Sequence, residues 1–181
     1  MSLTRHQRFE DLAAEVADPV LRYLRRRTDP GTADDVLSET LLVAWRRIDD
    51  IPPGSALPWC YGVARNQLAN AARTATRERN LIARIIRLDR PSDAAPGPEL
   101  PDQELQMALA QLRPDEQELI RLWAWEDLAV SEIALVLGAS ANAVSIRLHR
   151  ARRRLAEIVS AQRRKERARA GQELDETGGT R

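Results

Sequence analysis

The chain has 181 residues, 43% of them hydrophobic and 30% charged, enough to bury a core in one domain or two small ones. A single cysteine, Cys60, excludes an internal disulfide and a cysteine-based zinc site, and no apolar run approaches the roughly 20 residues of a membrane span. The formal net charge of +1 is unremarkable, but the charge is unevenly placed: Arg147 to Arg169 is strongly basic, while Asp93 to Glu104 and Asp115 to Glu126 are acid-rich.

Strand signals are nearly absent, with no sustained alternation and no Asn-Gly or Asp-Gly hairpin. The expected fold class is therefore all-α: two small helical domains joined by a Pro-rich linker, the C-terminal one containing a helix-turn-helix. The N-terminal segment has no apolar signal-peptide core, so a cytoplasmic protein is expected.

The first helices are expected over Arg5 to Arg27, with Phe9, Leu12, Ala13 and Val16 as an apolar stripe, an interruption at Pro19, and Leu21 and Leu24 resuming it. Thr28 to Gly31 reads as a turn. Thr32 then caps a helix from about Ala33 to Ile48, with Asp34 and Asp35 in its first turn, where carboxylates suit the positive helix end. Leu37, Leu41, Ala44 and Ile48 share a face assigned to the core. Asp35, Glu39, Leu42 and Arg46 share another. Two like charges one turn apart cost a few tenths of a kcal/mol in an isolated helix. A partner with basic residues would offset that cost, although an ordinary solvated face fits the pattern equally well.

Asp49 to Pro58 is a loop by its prolines and Gly54. The next helix, WCYGVARNQLANAARTATRER, packs Tyr61, Ala64, Leu68, Ala71 and Ala75 inward, with Cys60 as a packed thiol between Trp59 and Tyr61. Asn66, Asn70, Arg73 and Arg77 line the opposite side at one-turn intervals, and such side chains pair well with base edges and phosphates. Arg79 to Leu88 extends this helix. RPSDAAPGPELPDQ then reads as a Pro-rich, acidic, semi-extended linker.

The second domain opens near Gln103 with Leu105, Ala108, Leu109 and Leu112 as one stripe. Pro114 starts the next helix, whose apolar residues are Leu119, Ile120, Leu122 and Trp123. In SEIALVLGASANAVSIRLHRARRRL, Ser131 caps a short helix buried through Ile133, Ala134 and Leu137. Gly138 falls where a helix end takes a left-handed residue, and Ser140 caps a second helix. Val144, Leu148, Ala151 and Leu155 face inward there. Asn142, Ile146, His149, Arg150 and Arg153 face outward, the layout by which a helix-turn-helix docks one helix and reads the DNA major groove with it. After Val159 the apolar pattern is lost, and a frayed extension followed by disorder is expected.

Three stretches together resemble the extracytoplasmic-function (ECF) sigma factors of bacterial RNA polymerase, over about Phe9 to Val159. TADDVLSETLLVAWRRI is similar to the family's core-polymerase-binding segment, LPWCYGVARNQLANAARTATRER to its promoter-melting and −10-reading segment, and LRPDEQELIRLWAWEDLAVSEIALVLGASANAVSIRLHRARRRL to its −35-reading domain. The resemblance implies an N-terminal sigma domain at 1–88, a linker at 89–102, a −35-reading domain at 103–160 and a basic, disordered tail at 161–181. It implies that Asp34, Asp35, Glu39, Leu42 and Arg46 dock on core polymerase. It places Trp59, Asn66, Asn70, Arg73 and Arg77 near −10 DNA, with Asp49 to Ser55 where the family captures a flipped base. Asn142, Ser145, Ile146, His149, Arg150 and Arg153 would face the −35 groove. Where many relatives carry a basic residue followed by Ser in the recognition helix, this chain has Ser145 and Ile146, an apolar contact suited to a thymine methyl.

The implied partners are core RNA polymerase, duplex and melted promoter DNA, and an anti-sigma factor. No cofactor, metal or catalytic residue is implied. Two rivals differ in what they require. A polymerase-independent helix-turn-helix repressor or activator needs a ligand pocket or dimerisation helix in residues 1–90. A nuclease built on Asp34, Asp35 and Glu39 needs further ligands, yet His6 and His149 are isolated in the sequence.

Overall fold

The computed structural model describes residues 4–86 and 103–178, with side chains described over 4–77 and 104–165. Every helix and turn among them agrees with the all-α expectation. The helices are α1 (Arg5–Arg25), α2 (Pro30–Arg46), a 3-10 turn at Ile48–Asp50, α3 (Ala56–Ile86), α4 (Gln103–Ala110), α5 (Pro114–Ala124), α6 (Val130–Leu137) and α7 (Ala141–Gly178). The linker expected at 89–102 lies outside the described residues.

The chain divides into two compact units, Met1–Pro98 with Ser131–Ala139, and Glu99–Val130 with Ser140–Arg181. The first is built on α1, α2 and α3. Thr4 and Gln7 form a capping box on α1. The helix then runs unbroken through Pro19, where the sequence suggested an interruption. Proline removes one backbone bond, but Val16, Val20, Tyr23 and Leu24 are fully buried around it and their packing outweighs that loss.

Asp29, not Thr32, caps α2. Its carboxylate accepts from the Thr32 N–H at 3.0 Å, and Pro30 takes the first helical position, which suits its fixed φ. That bond holds the Asp29 carboxyl below its ordinary value of 3.8. Asp34 and Asp35 consequently fall in the second turn. The buried face of α2 is Ala33, Val36, Thr40 and Ala44, which leaves Leu37 and Leu41 only half-buried at its flank. The Thr40 hydroxyl is satisfied by donating to the Val36 carbonyl at 2.7 Å.

At the other end of α2, Arg5 of α1 donates to the Trp45 and Arg46 carbonyls at 2.9 and 3.2 Å, capping the orphan acceptors. Arg8 pairs with Asp49 at 2.7 Å. α3 starts two residues ahead of Pro58, which lies in its first turn. Cys60, Tyr61 and Ala64 pack inward, with the Tyr61 ring 4.9 Å from that of Tyr23. α3 has 31 residues, against 21 in α1 and 17 in α2, and outruns its partners: Leu68 and Ala71 are half-buried and Ala75 is exposed, not buried as expected.

The second unit packs α4 and α5 against α7. Ala108, Leu109, Leu112, Leu119, Ile120 and Leu122 meet Val144, Leu148 and Ala151. Trp123, the remaining apolar residue of α5 named from the sequence, is 38% exposed. At the start of α5 the Glu116 carboxylate accepts from the Arg113 N–H at 3.0 Å.

α6 begins at Val130, so Ser131 lies inside its first turn and does not precede it. Its buried residues are Ile133, Ala134 and Val136, with Leu137 half-buried. The helix closes as expected: Gly138 has φ +61°, and the Ala139 and Gly138 N–H groups donate to the Ala134 and Leu135 carbonyls. Ser140 caps α7 by accepting from Ala143 N–H at 3.2 Å. α7 continues as helix to Gly178, beyond the point where its apolar pattern ends. Arg163 pairs with Glu104 of α4 at 3.0 Å, fastening part of that extension to the unit.

Candidate protein and nucleic-acid interfaces

On α2 the core stripe turns Asp35, Glu39, Leu42 and Arg46 outward, and all four are exposed. Asp34 is exposed too and pairs with Arg25 at 3.5 Å. Asp35 and Glu39 have no ion pair among the described residues. Two carboxylates one turn apart, neither in an ion pair, give their part of this face a local negative field.

Beside them lies a feature that periodicity did not reveal. Leu42, 47% exposed, forms one wall of an open apolar groove of about 410 Å³ with His6, Phe9, Ser38, Leu41 and Trp45. Phe9 meets Trp45 edge-on at 5.2 Å, and the Arg5 guanidinium lies 5.3 Å from the Trp45 ring centre. Phe9 of the apolar stripe of α1 and Leu41, which the sequence assigns to the core face of α2, are both half-buried. They are groove lining because the buried stripe of α2 is rotated towards Val36 and Thr40.

On α3, Asn66, Asn70, Arg73 and Arg77 are all exposed and follow one another at helical spacing. Asn70 is held by neighbours on its own helix, accepting from Arg73 and donating to Gln67. Trp59 is half-buried. The Arg47 guanidinium lies 5.8 Å from its ring centre and is anchored by Asp50 at 2.9 Å.

On α7, Asn142, Ser145, Ile146, His149, Arg150 and Arg153 are all exposed, opposite the buried Val144, Leu148 and Ala151. The structure sorts the arginines of this helix. Arg152 lies 4.2 Å from the Trp123 ring centre, Arg153 pairs with Glu157 at 3.1 Å, and Arg154 pairs with the buried Glu116 at 3.7 Å. Arg147 and Arg150 have no ion pair among the described residues. Arg147 does not stand out in the sequence, because only the folded positions of Glu116 and Trp123 show that Arg154 and Arg152 are already engaged.

Each of these faces presents exposed groups suited to binding. Among the described residues no group of three His, Cys, Asp or Glu could hold a metal ion, and no single helix is long and apolar enough to cross a membrane. Cys60 is buried.

Residues 12–78 match sigma-70 region 2, and residues 102–155 match sigma-70 region 4. The RNA polymerase sigma factor CarQ of Myxococcus xanthus is 35% identical over 158 residues, covering 83% of this chain and 88% of CarQ. The chain belongs to the extracytoplasmic-function sigma factors of the sigma-70 family. The ECF RNA polymerase sigma factor SigL of Mycobacterium tuberculosis (strain ATCC 25618 / H37Rv) is another relative of this sigma factor, 33% identical over 78% of this chain and 82% of SigL. Among solved structures, CnrH in complex with the cytosolic domain of CnrY superposes with a TM-score of 0.57 at 25% identity, covering 84% of this chain and 88% of CnrH. The sigma factor RpoE from Bartonella quintana, solved with the anti-sigma factor NepR, shares the fold with a TM-score of 0.61 at 24% identity, over 84% and 96% of the two chains. As a member of the family, the chain is an alternative sigma factor that directs RNA polymerase to promoter DNA. The rival reading, a polymerase-independent repressor or activator, is not favoured by these likenesses.

Proposed function

We propose that this sigma factor docks on core RNA polymerase through the outer face of α2, engages −10 DNA through α3 and the loop before it, and reads −35 DNA through α7. The observation that carries the polymerase assignment is the acidic pair Asp35 and Glu39, neither in an ion pair among the described residues, beside the exposed Leu42. A DNA-only regulator has no use for a negative, partly apolar face, which would repel phosphate. Asp34 and Arg46 flank this surface and complete it. Trp59, Asn66, Asn70, Arg73 and Arg77 then meet melted or duplex −10 DNA. Asn142, Ser145, Ile146, His149, Arg150 and Arg153 face the −35 groove.

Melting follows as a binding effect. Unpaired bases captured by the protein offset the few kcal/mol of unstacking, and no bond is made or broken. The protein thus works without catalysis of its own, in the cytoplasm beside the polymerase it serves. The domain roles follow the family pattern, with promoter melting assigned to 1–88 and −35 recognition to 103–160. CnrH, solved with the cytosolic domain of CnrY, supports a further protein partner for this chain, for which we propose an anti-sigma factor.

The test is the double variant Asp35→Arg with Glu39→Arg. Both side chains are exposed, so helix content and thermal midpoint should stay as in the wild type. Co-purification with core polymerase should be lost. A variant that still assembles holoenzyme would remove the acidic face from the docking surface.

A further inference from the structure

We infer that Ile146 is a specificity-determining residue of this sigma factor, reading the 5-methyl group of one thymine in the −35 element. The inference rests on the assignment of α7 as the −35-reading helix and deepens it.

Ile146 is 45% exposed. At roughly 100° per residue it lies about 180° around α7 from the buried stripe of Val144, Leu148 and Ala151. It therefore stands at the crest of the outward face, in the second turn of the helix, where the N-terminal residues of a recognition helix reach base edges. Its neighbours on that crest, Asn142, His149 and Arg150, all carry hydrogen-bonding groups, and all are exposed. A large apolar residue in that company is left nearly half exposed by the fold.

The arginines make the crest sharper. Arg152 and Arg154 are drawn to the flanks by Trp123 and Glu116, and Arg153 is drawn along the helix by Glu157. Of the cations in the first three turns, Arg150 remains uncommitted near the crest, and Arg147 at its side. The readable surface is then a short row of different chemistries: an amide at Asn142, a branched hydrocarbon at Ile146, an imidazole at His149 and a guanidinium at Arg150. Three of these complement hydrogen-bonding edges. The major groove offers one natural complement to the fourth, the thymine C5-methyl, since the other groups displayed there are donors and acceptors. A basic residue at this position would bind guanine or phosphate. Isoleucine makes a thymine the preferred base and leaves any other base facing a side chain with which it can form no hydrogen bond.

The test uses holoenzyme reconstituted from the full chain and core polymerase. A −35 motif is first selected from a randomised promoter pool. Each thymine of that motif is then replaced singly by deoxyuridine, which removes only the methyl group. Wild-type holoenzyme should lose about fourfold in affinity at one position, the equilibrium equivalent of burying one methyl group. Ile146→Ala should bind thymine and deoxyuridine promoters equally, with an unchanged thermal midpoint. Arg150→Ala should bind both more weakly but keep their ratio. A motif without thymine, or a methyl effect that persists in Ile146→Ala, would overturn the inference. If Asn142→Ala, Ile146→Ala and Arg150→Ala all select the wild-type motif, α7 is not the reader, and the failure belongs to the −35 assignment itself.

Discussion

Cys60 illustrates how neighbours set the chemistry of one side chain. It is fully buried in the first unit, and burial, aided by the charge of Glu15, pushes its thiol up to about 12 from 9.0. The thiolate is therefore scarce at neutral pH. A thiol reagent at pH 8 should leave the folded protein unmodified and label it fully in denaturant, and equal rates in both states would show an accessible thiol. A pKa raised by folding adds stability that is complete below about pH 9 and is lost as pH rises towards 12. The sequence suggested a packed thiol from the flanking Trp59 and Tyr61. Trp123 differs: it is exposed and lies under Arg152, a neighbour supplied by another helix and not by flanking residues.

The turn between α6 and α7 is where local sequence was most informative among the elements. Gly138 takes φ +61°, and a Cβ added there would meet nothing within 4 Å, so any cost of substitution is conformational. Gly138→Ala should destabilise the protein by about 1 kcal/mol. Ser140→Ala should cost about 1 kcal/mol by freeing the Ala143 N–H. Urea unfolding followed by circular dichroism checks both, and a neutral Gly138→Ala would contradict the left-handed turn. Caps and turns of this kind were legible because each involves residues within a few positions of one another. The α2 cap was legible only in part. Thr32 has the right chemistry, but Asp29 with Pro30 behind it offers a better acceptor and a pre-set φ.

Across the whole molecule, a net charge of +1 conceals two surfaces of opposite sign, an acidic one on α2 and a cationic one on α7. Replacing the two uncommitted cations, Arg147→Gln with Arg150→Gln, should flatten the salt dependence of promoter affinity by about two in the log–log slope. An unchanged slope would mean that neither touches DNA charge. The same double variant should still assemble with core polymerase, because both changes lie far along the chain from the α2 face.

By itself the sequence determined the helical class, the outward residues of α2, α3 and α7, and the resemblance that family comparison bore out. Each of these depends on periodicity or on short motifs, which are properties of consecutive residues. Tertiary structure alone decided the continuity of α1 through Pro19, the rotation of the α2 core stripe towards Thr40, and the groove that Phe9, Leu42 and Trp45 form together. It also decided which arginines of α7 are engaged and which are free, because Glu116 and Trp123 reach that helix from about 30 positions away in the sequence. No periodicity carries that information; burial and pairing between distant elements do.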